Sequence, residues 1–550
     1  MMMSIITYEV ILKNIVVMRL NKLKPHKTDI QDYDFKEVVS FLGTTCAFDD
    51  EMEALEVMST HSSLVFLGKC YVYKIKRPVK YAYMDFTSRK KRKANCEREY
   101  ELNKSISPEL YLDVVAITRE KDGTLAINGD GRPIEWAVKM KRFPQKAILY
   151  NMACDQKLSD QLALQLGENI AHYHRELERI PDHNSVLQIK KVLEQVEQFF
   201  TTSEHEIEEP LFTKCMDQLN TLFLNVKNDL EERAKAGSIR RCHGDLHLKN
   251  IVLVNGVPTL FDALEFDERL ATIDVIYDLS FLLMDLLFLG LKPQSNILLN
   301  RYLQKSWSLV GKKGLRILPF CLGLRAVIRA MVACQMAQTD PATKQEKQAE
   351  AKLYLKLTSA VLKKTTPVLI AIGGLSGTGK STFAKTLSPQ LADPVGAVLL
   401  RSDLERKQML GVSEFERLGS DHYTNEMSAK VYEQLFEKAS QILSAGQSVV
   451  IDAVFLDPEM HRTVIGIAEE QNVPFCGLYL DAPLPVLLKR VAARQNDASD
   501  ADTHVVKNQY AKQQQVMAFK DNGWASLDAS GSKLQTLNRG IATLKQKQLL

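Results

Sequence analysis

The chain has 550 residues, 45% of them hydrophobic and 25% charged, with a formal charge of +4. The length exceeds what one hydrophobic core serves and predicts about two to four domains. The composition excludes disordered, collagenous and membrane-embedded classes, and the small charge lacks the footprint of a dedicated nucleic-acid binder.

The leading stretch "MMMSIITYEVILKNIVVM" has no basic first segment and no small-residue cleavage site, so no signal peptide is expected. Residues 1–50 read as an extension with a leading helix. From Leu64 to Val79, "LVFLGKCYVYKIKRPV" predicts a hairpin turning at Gly68 and Lys69. The basic run "RKKRK", Arg89 to Lys93, opens a Glu-rich helical stretch and reads as a solvated helix face rather than a targeting patch. That helix runs through "ANCEREYELNKSI" and stops before Pro108; strands around "LYLDVVAITR" and "EWAVKMKRF" flank the turn "NGDGRP". Together these predict a small, mainly antiparallel sheet with one helix.

Helical periodicity fills Lys157 to Ala236. His172 and His174 stand two residues apart, on different helix faces, which argues against shared metal ligation and makes His174 a structural residue. After the motif discussed next, more helices run to Lys364. The apolar "DLSFLLMDLLFLGL" is interrupted by Asp285 and too short to span a bilayer, so it reads as a core helix. "TDPATKQEKQAEAK" reads as an exposed connection or helix surface. After "KKTTP" the order becomes strand, Gly-rich turn, helix, strand, helix, the pattern of a parallel α/β domain. The expected domains are therefore 51–364 and 365–550, after the extension 1–50. Nine cysteines without a C-x-x-C pair point to reduced thiols, a cytosolic compartment and no zinc site.

Phosphoryl transfer needs a group that orients a hydroxyl and accepts its proton, plus oxygen ligands for Mg²⁺ at the phosphates. In "RCHGDLHLKNIVLVNGVPTLFDALEFD", Asp245 and Asn250 have the spacing of the kinase D-x-x-x-x-N loop. Asp245 is the expected base, with Asn250 and Asp262 as metal ligands; His243 braces the loop. A strand lysine must then reach the α/β-phosphates while a helix carboxylate holds it. Lys74 of "CYVYKIK" is favoured, with Lys76 its competitor on the same strand face, and Glu99 of "CEREYELN" is its partner with Glu97 as the alternative.

This set resembles the aminoglycoside phosphotransferase family, a kinase-like fold whose loop reads H-G-D-x-x-x-x-N and whose Mg²⁺ acid ends the following strand. The resemblance covers about Val57 to Ala333 and includes "YDLS", Tyr277 to Ser280. More narrowly, "THSSLVFLG", "YKIKRPV", "RFPQ" and the fused P-loop domain resemble bacterial proteins described as bifunctional aminoglycoside phosphotransferase and ATP-binding protein. The resemblance implies an α+β protein-kinase-like domain followed by an α/β P-loop NTPase domain. It does not specify an aminoglycoside, because a fold does not fix a substrate. The chain departs from the kinase pattern in lacking G-x-G-x-x-G, so "STHSS", Ser59 to Ser63, is expected to cover the phosphates through its backbone N–H groups.

The second constellation is "VLIAIGGLSGTGKSTFAK", a complete Walker A loop. Gly374, Ser376, Gly377, Thr378, Gly379 and Thr382 belong to the nucleotide site, Lys380 neutralises the β/γ oxygens, and Ser381 ligates Mg²⁺. The strand "GAVLLRSD" ends on Asp403, a carboxylate placed to activate a hydroxyl, and Arg406 three residues on is placed to bind an anion on the acceptor. "QSVVIDAVF" ends near Asp452, a second metal ligand. A later helix carries Arg490 and Arg494, and Arg494 is the expected clamp on the transferring phosphoryl group. Val368 to Gln513 resembles P-loop small-molecule kinases of the gluconate-kinase and polynucleotide 5′-kinase type, with "RSDLERK" its most telling piece; no sensor arginine or motor signature of AAA ATPases is evident.

The leading expectation is an ATP- and Mg²⁺-dependent phosphotransferase with two ATP sites, acting on the hydroxyl of a small molecule. In a second reading the first domain is a non-catalytic nucleotide-binding regulator, and in a third the P-loop domain is a polynucleotide 5′-hydroxyl kinase. The modest charge and three tryptophans argue against the third. No membrane partner is expected.

Overall fold

A computed structural model describes residues 33–44, 56–60, 62–81, 84–181, 184–203, 205, 207–339, 341–493, 499–516 and 523–550. Packing groups the chain into two compact units, Met1–Lys157 with Arg240–Ile273, and Leu158–Ile239 with Asp274–Leu550. The leading extension ahead of residue 33 lies outside the described residues. The expected pair of folds is present, a kinase-like α+β domain ahead of a parallel-sheet P-loop domain.

In the first unit six strands form an antiparallel sheet in the spatial order Glu56–Ser59, Ser63–Leu67, Tyr71–Lys76, Arg132–Lys141, Tyr111–Arg119, Leu125–Ile127. Successive strand residues face opposite sides. Phe66, Tyr73, Ile75 and Ile117 pack on one face with Val38 and Leu42 of the helix Tyr33–Leu42. Leu67, Val72 and Met140 pack on the other with Cys96 of the helix Arg89–Ile106. Lys74 and Lys76 share the period of Val72, so both point to the side that this helix covers.

The helix begins at Ser88, whose hydroxyl accepts from Lys91 N–H at 3.4 Å. The solvated-face reading of "RKKRK" needs one correction. Arg92 is fully buried, donating to Glu135 Oε2 at 2.8 Å and to the Phe86 carbonyl at 3.1 Å. A buried guanidinium needs such a partner, and no charge count along the run separates it from its exposed neighbours.

Strands Ile251–Val254 and Val257–Leu260 form a two-residue hairpin at Asn255-Gly256, both at positive φ, 49° and 81°. Asn-Gly suits this turn because its handedness matches strand twist. The hairpin sets Asn250 at its entrance and Asp262 just past its exit, and Phe261 N–H donates to the Asn250 carbonyl at 3.0 Å.

The second unit contains the helices Asp160–Glu176, Ser185–Thr202, Glu209–Lys235, Val275–Phe288, Lys292–Thr339 and Lys344–Val361. Val275–Phe288, the expected core helix, is buried along nearly its whole length. Lys292–Thr339 has a break at Ser306 and Gly311. By length and composition its span 292–338 is apolar enough to cross a membrane, yet 72% of its most apolar stretch is buried within the protein. His174 is buried, with Nδ1 2.8 Å from Tyr302 Oη and Nε2 3.2 Å from Asp278 Oδ2. Its role there is that of a packed, hydrogen-bonded core group, while His172 is exposed.

The same unit holds a five-stranded parallel sheet in the order Val398–Arg401, Val449–Asp452, Leu369–Gly374, Phe475–Asp481, Trp524–Asp528. Helix Lys292–Thr339 lies along its outer strand. Asn300 Oδ1 accepts from Leu399 N–H at 2.7 Å, and Asn296 Nδ2 donates to the Val395 and Ala397 carbonyls at 2.9 and 3.0 Å.

Candidate functional site

In the first unit Lys74 Nζ lies 2.8 Å from Glu99 Oε1 and 2.6 Å from Asp262 Oδ1. Lys76 Nζ lies 2.6 Å from the other Glu99 oxygen and 2.5 Å from Glu265 Oε1. Glu99 is fully buried and bridges both lysines, whereas Glu97 is exposed and pairs with Lys93 at 3.4 Å. The two lysines are therefore neighbours in one cluster. Burial pushes the Glu99 carboxyl up, but the two ammonium groups outweigh it and hold its pKa at about 2. Burial alone would lower the Lys74 ammonium; Asp262 and Glu99 reverse this and raise it well above its ordinary value. Glu265, the third carboxylate, is raised by burial despite Lys76.

Asp262 has φ 61°, a left-handed backbone rare for a residue with a side chain. The surroundings hold it there: its N–H donates to Tyr111 Oη at 3.1 Å, and the next N–H, of Ala263, donates to Asn103 Oδ1 at 2.8 Å. Backbone held in this way at the end of a strand is a feature of sites that aim a side chain.

Asp245 Oδ2 accepts from Asn250 Nδ2 at 2.9 Å, and the same amide donates to the Asp245 carbonyl at 3.0 Å. His243 Nδ1 accepts from Asp245 N–H at 3.3 Å, which assigns the ring proton to Nε2, 3.0 Å from the Phe261 carbonyl. His243 thus ties the loop to the end of the hairpin. Asn250 and Asp262 offer amide and carboxylate oxygens, a donor set that suits Mg²⁺.

The turn Ser59 to Ser63 differs from its expected role. Thr60 Oγ1 accepts from Ser62 N–H at 3.3 Å and Ser63 N–H at 2.9 Å, so those two donors are engaged inside the turn. Arg77 Nη1 adds a bond to the Thr60 carbonyl at 3.1 Å. His61 lies outside the described residues. A Thr side chain competing for nearby N–H groups is a local effect that motif spacing does not reveal.

In the second unit the strand Leu369–Gly374 leads through residues 375–379 into the helix Lys380–Leu387. Gly374 has φ 134°, and a Cβ there would stand 2.4 Å from the Leu480 carbonyl oxygen. Thr378 Oγ1 and Lys380 Nζ both donate to the Leu375 carbonyl, at 2.8 and 3.0 Å. Ser376 N–H donates to Gln509 Oε1 at 3.0 Å, a contact absent from the sequence reading.

Residues 376–383 line a cleft of about 1910 Å³ together with Asp403, Arg406 and Asp452. Typical single-ligand pockets are about 300–1,000 Å³, so there is room for a nucleotide and a second molecule. Arg401 and Asp452 are opposite one another in the parallel register, and Arg401 Nε lies 3.1 Å from Asp452 Oδ2. Burial raises the Asp403 carboxyl pKa, Arg401 opposes this, and the nearby Asp452 charge adds to it. A raised carboxylate is a stronger proton acceptor. Ser381 and Asp452 both border the cleft and supply hydroxyl and carboxylate oxygens, which fit Mg²⁺.

Arg406 is buried, with Nη1 2.9 Å from the His422 carbonyl, Nη2 3.3 Å from Ser428 Oγ, and its Cζ 4.6 Å from the Tyr423 ring centre. Among the described residues its Nε is buried without a hydrogen-bond partner. Arg490 is bound to the Ala529 and Gly531 carbonyls at 2.8 and 2.9 Å, which makes it a brace of the loop after the last strand. Arg494 lies outside the described residues.

Gly379→Ala and Gly374→Ala provide a graded test of the loop. Gly379, at φ 93° with nothing among the described residues within 4 Å of a Cβ, meets only backbone strain. Its replacement is expected to weaken binding of a fluorescent ATP analogue by about 1–2 kcal/mol. Gly374→Ala adds the collision with Leu480 and is expected to lose more; equal losses in a titration would contradict this geometry.

Residues 369–518 match the family model described as an AAA domain. An uncharacterized protein of Mycobacterium tuberculosis is 28% identical over 468 residues, 84% of this chain and 90% of that protein. L-seryl-tRNA(Sec) kinase of Methanococcus maripaludis is 29% identical over 147 residues, 26% of this chain and 52% of that protein. The solved GDP complex of aminoglycoside 2′-phosphotransferase-IIIa is 13% identical, covering 60% of this chain and 99% of that one, with a TM-score of 0.37. The P-loop segment of the chain has kinase relatives.

Proposed function

We propose that the protein is an ATP- and Mg²⁺-dependent phosphotransferase of the cytoplasm whose acceptor is the hydroxyl group of a small molecule. The observation that carries this reading is the shared cleft, in which the phosphate loop, Asp403 and Arg406 border one space large enough for two ligands. Asp403 takes the proton of the acceptor hydroxyl as the new O–P bond forms to the γ-phosphorus and the bond from that phosphorus to the β,γ-bridging oxygen breaks, ADP being the leaving group, and Arg406 holds an anionic group of the acceptor. Lys380 and the loop N–H groups hold the β/γ-phosphates, with Ser381 and Asp452 as the residues that would hold Mg²⁺. The metal, when bound, offsets phosphate charge. Asp245 acts as the corresponding base in the first unit, where Asn250 and Asp262 would hold the metal and Lys74 the α/β-phosphates. The relative in M. maripaludis, named as a kinase, supports phosphoryl transfer as the chemistry of the P-loop unit.

The test incubates the full chain with ATP labelled on its γ-phosphate, a bacterial metabolite pool and 5′-hydroxyl oligonucleotides. Label is expected in the metabolite fraction. Label in the oligonucleotides alone would replace this reading with a polynucleotide 5′-hydroxyl kinase, and no label in either would overturn it. An Asp245→Ala chain that keeps every labelled product would make the first unit a non-catalytic nucleotide-binding regulator.

A further inference from the structure

Lys407 is buried, 2% exposed, in the helix Ser402–Met409 that also carries Asp403 and Arg406. A buried ammonium persists only when paired and hydrogen-bonded. Its Nζ donates to the Glu414 carbonyl at 2.9 Å and to Asp500 Oδ1 at 3.1 Å. The other Asp500 oxygen accepts from Tyr423 Oη at 2.7 Å, and the Tyr423 ring lies against the Arg406 guanidinium. Asp500, Tyr423 and Arg406 all border the cleft.

The chain of contacts extends outward through Glu414. Its two carboxylate oxygens each accept from Arg301, Oε2 from Nη1 and Oε1 from Nη2, both at 2.8 Å. Arg301 belongs to the helix Lys292–Thr339, is 6% exposed, and also grips Glu168 of the helix Asp160–Glu176 through Nε at 3.1 Å. A bidentate guanidinium fixes orientation as well as distance. The connection 410–424 is thereby held at Glu414 by the helical part of the unit and at Tyr423 by Asp500.

We propose that Arg301, Lys407 and Asp500 are positioning residues for the acceptor side of the phosphate-loop cleft, so that helices outside the P-loop domain help set where Arg406 and Tyr423 meet the acceptor. This rests on the cleft being a phosphoryl-transfer site. None of the three need touch the reacting atoms; Arg301 acts through Glu414, and Lys407 through Asp500 and Tyr423.

The test uses the full chain with Arg301→Met, Arg301→Lys and Asp500→Asn. Amide hydrogen exchange reports local opening, and labelled transfer into the metabolite pool reports function. Arg301→Met and Asp500→Asn are expected to speed exchange across 411–424 at least about tenfold, leave 369–374 unchanged, and lower transfer about tenfold at unchanged KM for ATP. Arg301→Lys should recover part of both. Unchanged exchange across 411–424 in Arg301→Met, or acceleration spread evenly through the second unit, would overturn the proposal. If Arg301→Met does not fold, Glu414→Gln tests the same bond with the same outcomes. Absence of transfer by the unaltered chain would refute the reading of the cleft, while the exchange measurement would still decide the coupling.

Discussion

Glu99→Ala is expected to destabilise the first unit by about 3–5 kcal/mol, the range for breaking a buried ion pair by removing one partner. The size follows from what remains. Glu99 is the shared counter-ion of Lys74 and Lys76, 2.8 and 2.6 Å away, and Lys76 is 1% exposed. Without it two buried ammonium groups face each other, balanced among the described residues by Asp262 and Glu265. Calorimetry of the full chain should show one unfolding transition moving to lower temperature while the other stays; an unmoved transition would refute the cluster.

The pH dependence has a definite sign. The Glu99 carboxyl is lowered from 4.5 to about 2, so its contribution is complete above the ordinary value and disappears as pH falls through about 2. The Lys74 ammonium is raised, so its contribution is complete below its ordinary value and disappears as pH rises through the folded value. In Glu99→Ala the alkaline response should reverse, because deprotonating a lysine relieves repulsion. Approaching pH 10 the variant should gain stability, whereas the unaltered chain keeps its Lys74 contribution in full; chemical unfolding at a series of pH values reads the difference.

Lys380→Ala is expected to lower phosphoryl transfer from the P-loop unit by about 10²–10³-fold, the cost of removing one preorganised donor from a site of developing charge. Lys380 Nζ rests on the Leu375 carbonyl at 3.0 Å and lies at the start of the loop helix, so it is already aimed into the curve that takes the phosphates. Folding should be nearly unaffected, because the side chain is half-buried and its bond to the Leu375 carbonyl is internal to the loop. Thermal unfolding within about a degree of the unaltered chain, with transfer lowered about 10²–10³-fold, is the expected pair of results. Transfer retained in full would assign the activity to the first unit.

Lys74, Lys76 and Glu99 were legible in the sequence as a set, since period-two alternation put both lysines on one strand face. What spacing left open was whether one or both met the helix. The structure has both, because the carboxylate has two oxygens and is buried between them. Glu265 escaped notice for a physical reason: it lies past the end of a strand, where neither period applies, and 189 residues separate it from Lys76. Gln509 lies within a helix but reaches the phosphate loop across 133 residues, a separation that no local period spans. Asp452 was read from its place at a strand end, but its pairing with Arg401 needed the strand register.

The P-loop was readable in full because its geometry is local: glycines, lysine and hydroxyls within one turn. The anchoring of the connection 410–424 was not, because Arg301 lies in a helix that sequence grammar assigns to a different domain. Amphipathic pattern says that a helix has a covered face without saying what covers it.

Asn296 and Asn300 bear on how the chain can be divided. The strand Val398–Arg401 is an edge, and its outward backbone groups would form a row of unmet donors and acceptors, a template for pairing with another chain. Leu399 N–H and the Ala397 carbonyl are instead occupied by side-chain amides from the helix Lys292–Thr339. Those amides imitate a neighbouring strand without supplying one, and so terminate the sheet. Cutting the chain at residue 364 would keep the phosphate loop intact but strip that terminator away, leaving the severed domain self-adhesive along the side that the intact protein keeps closed.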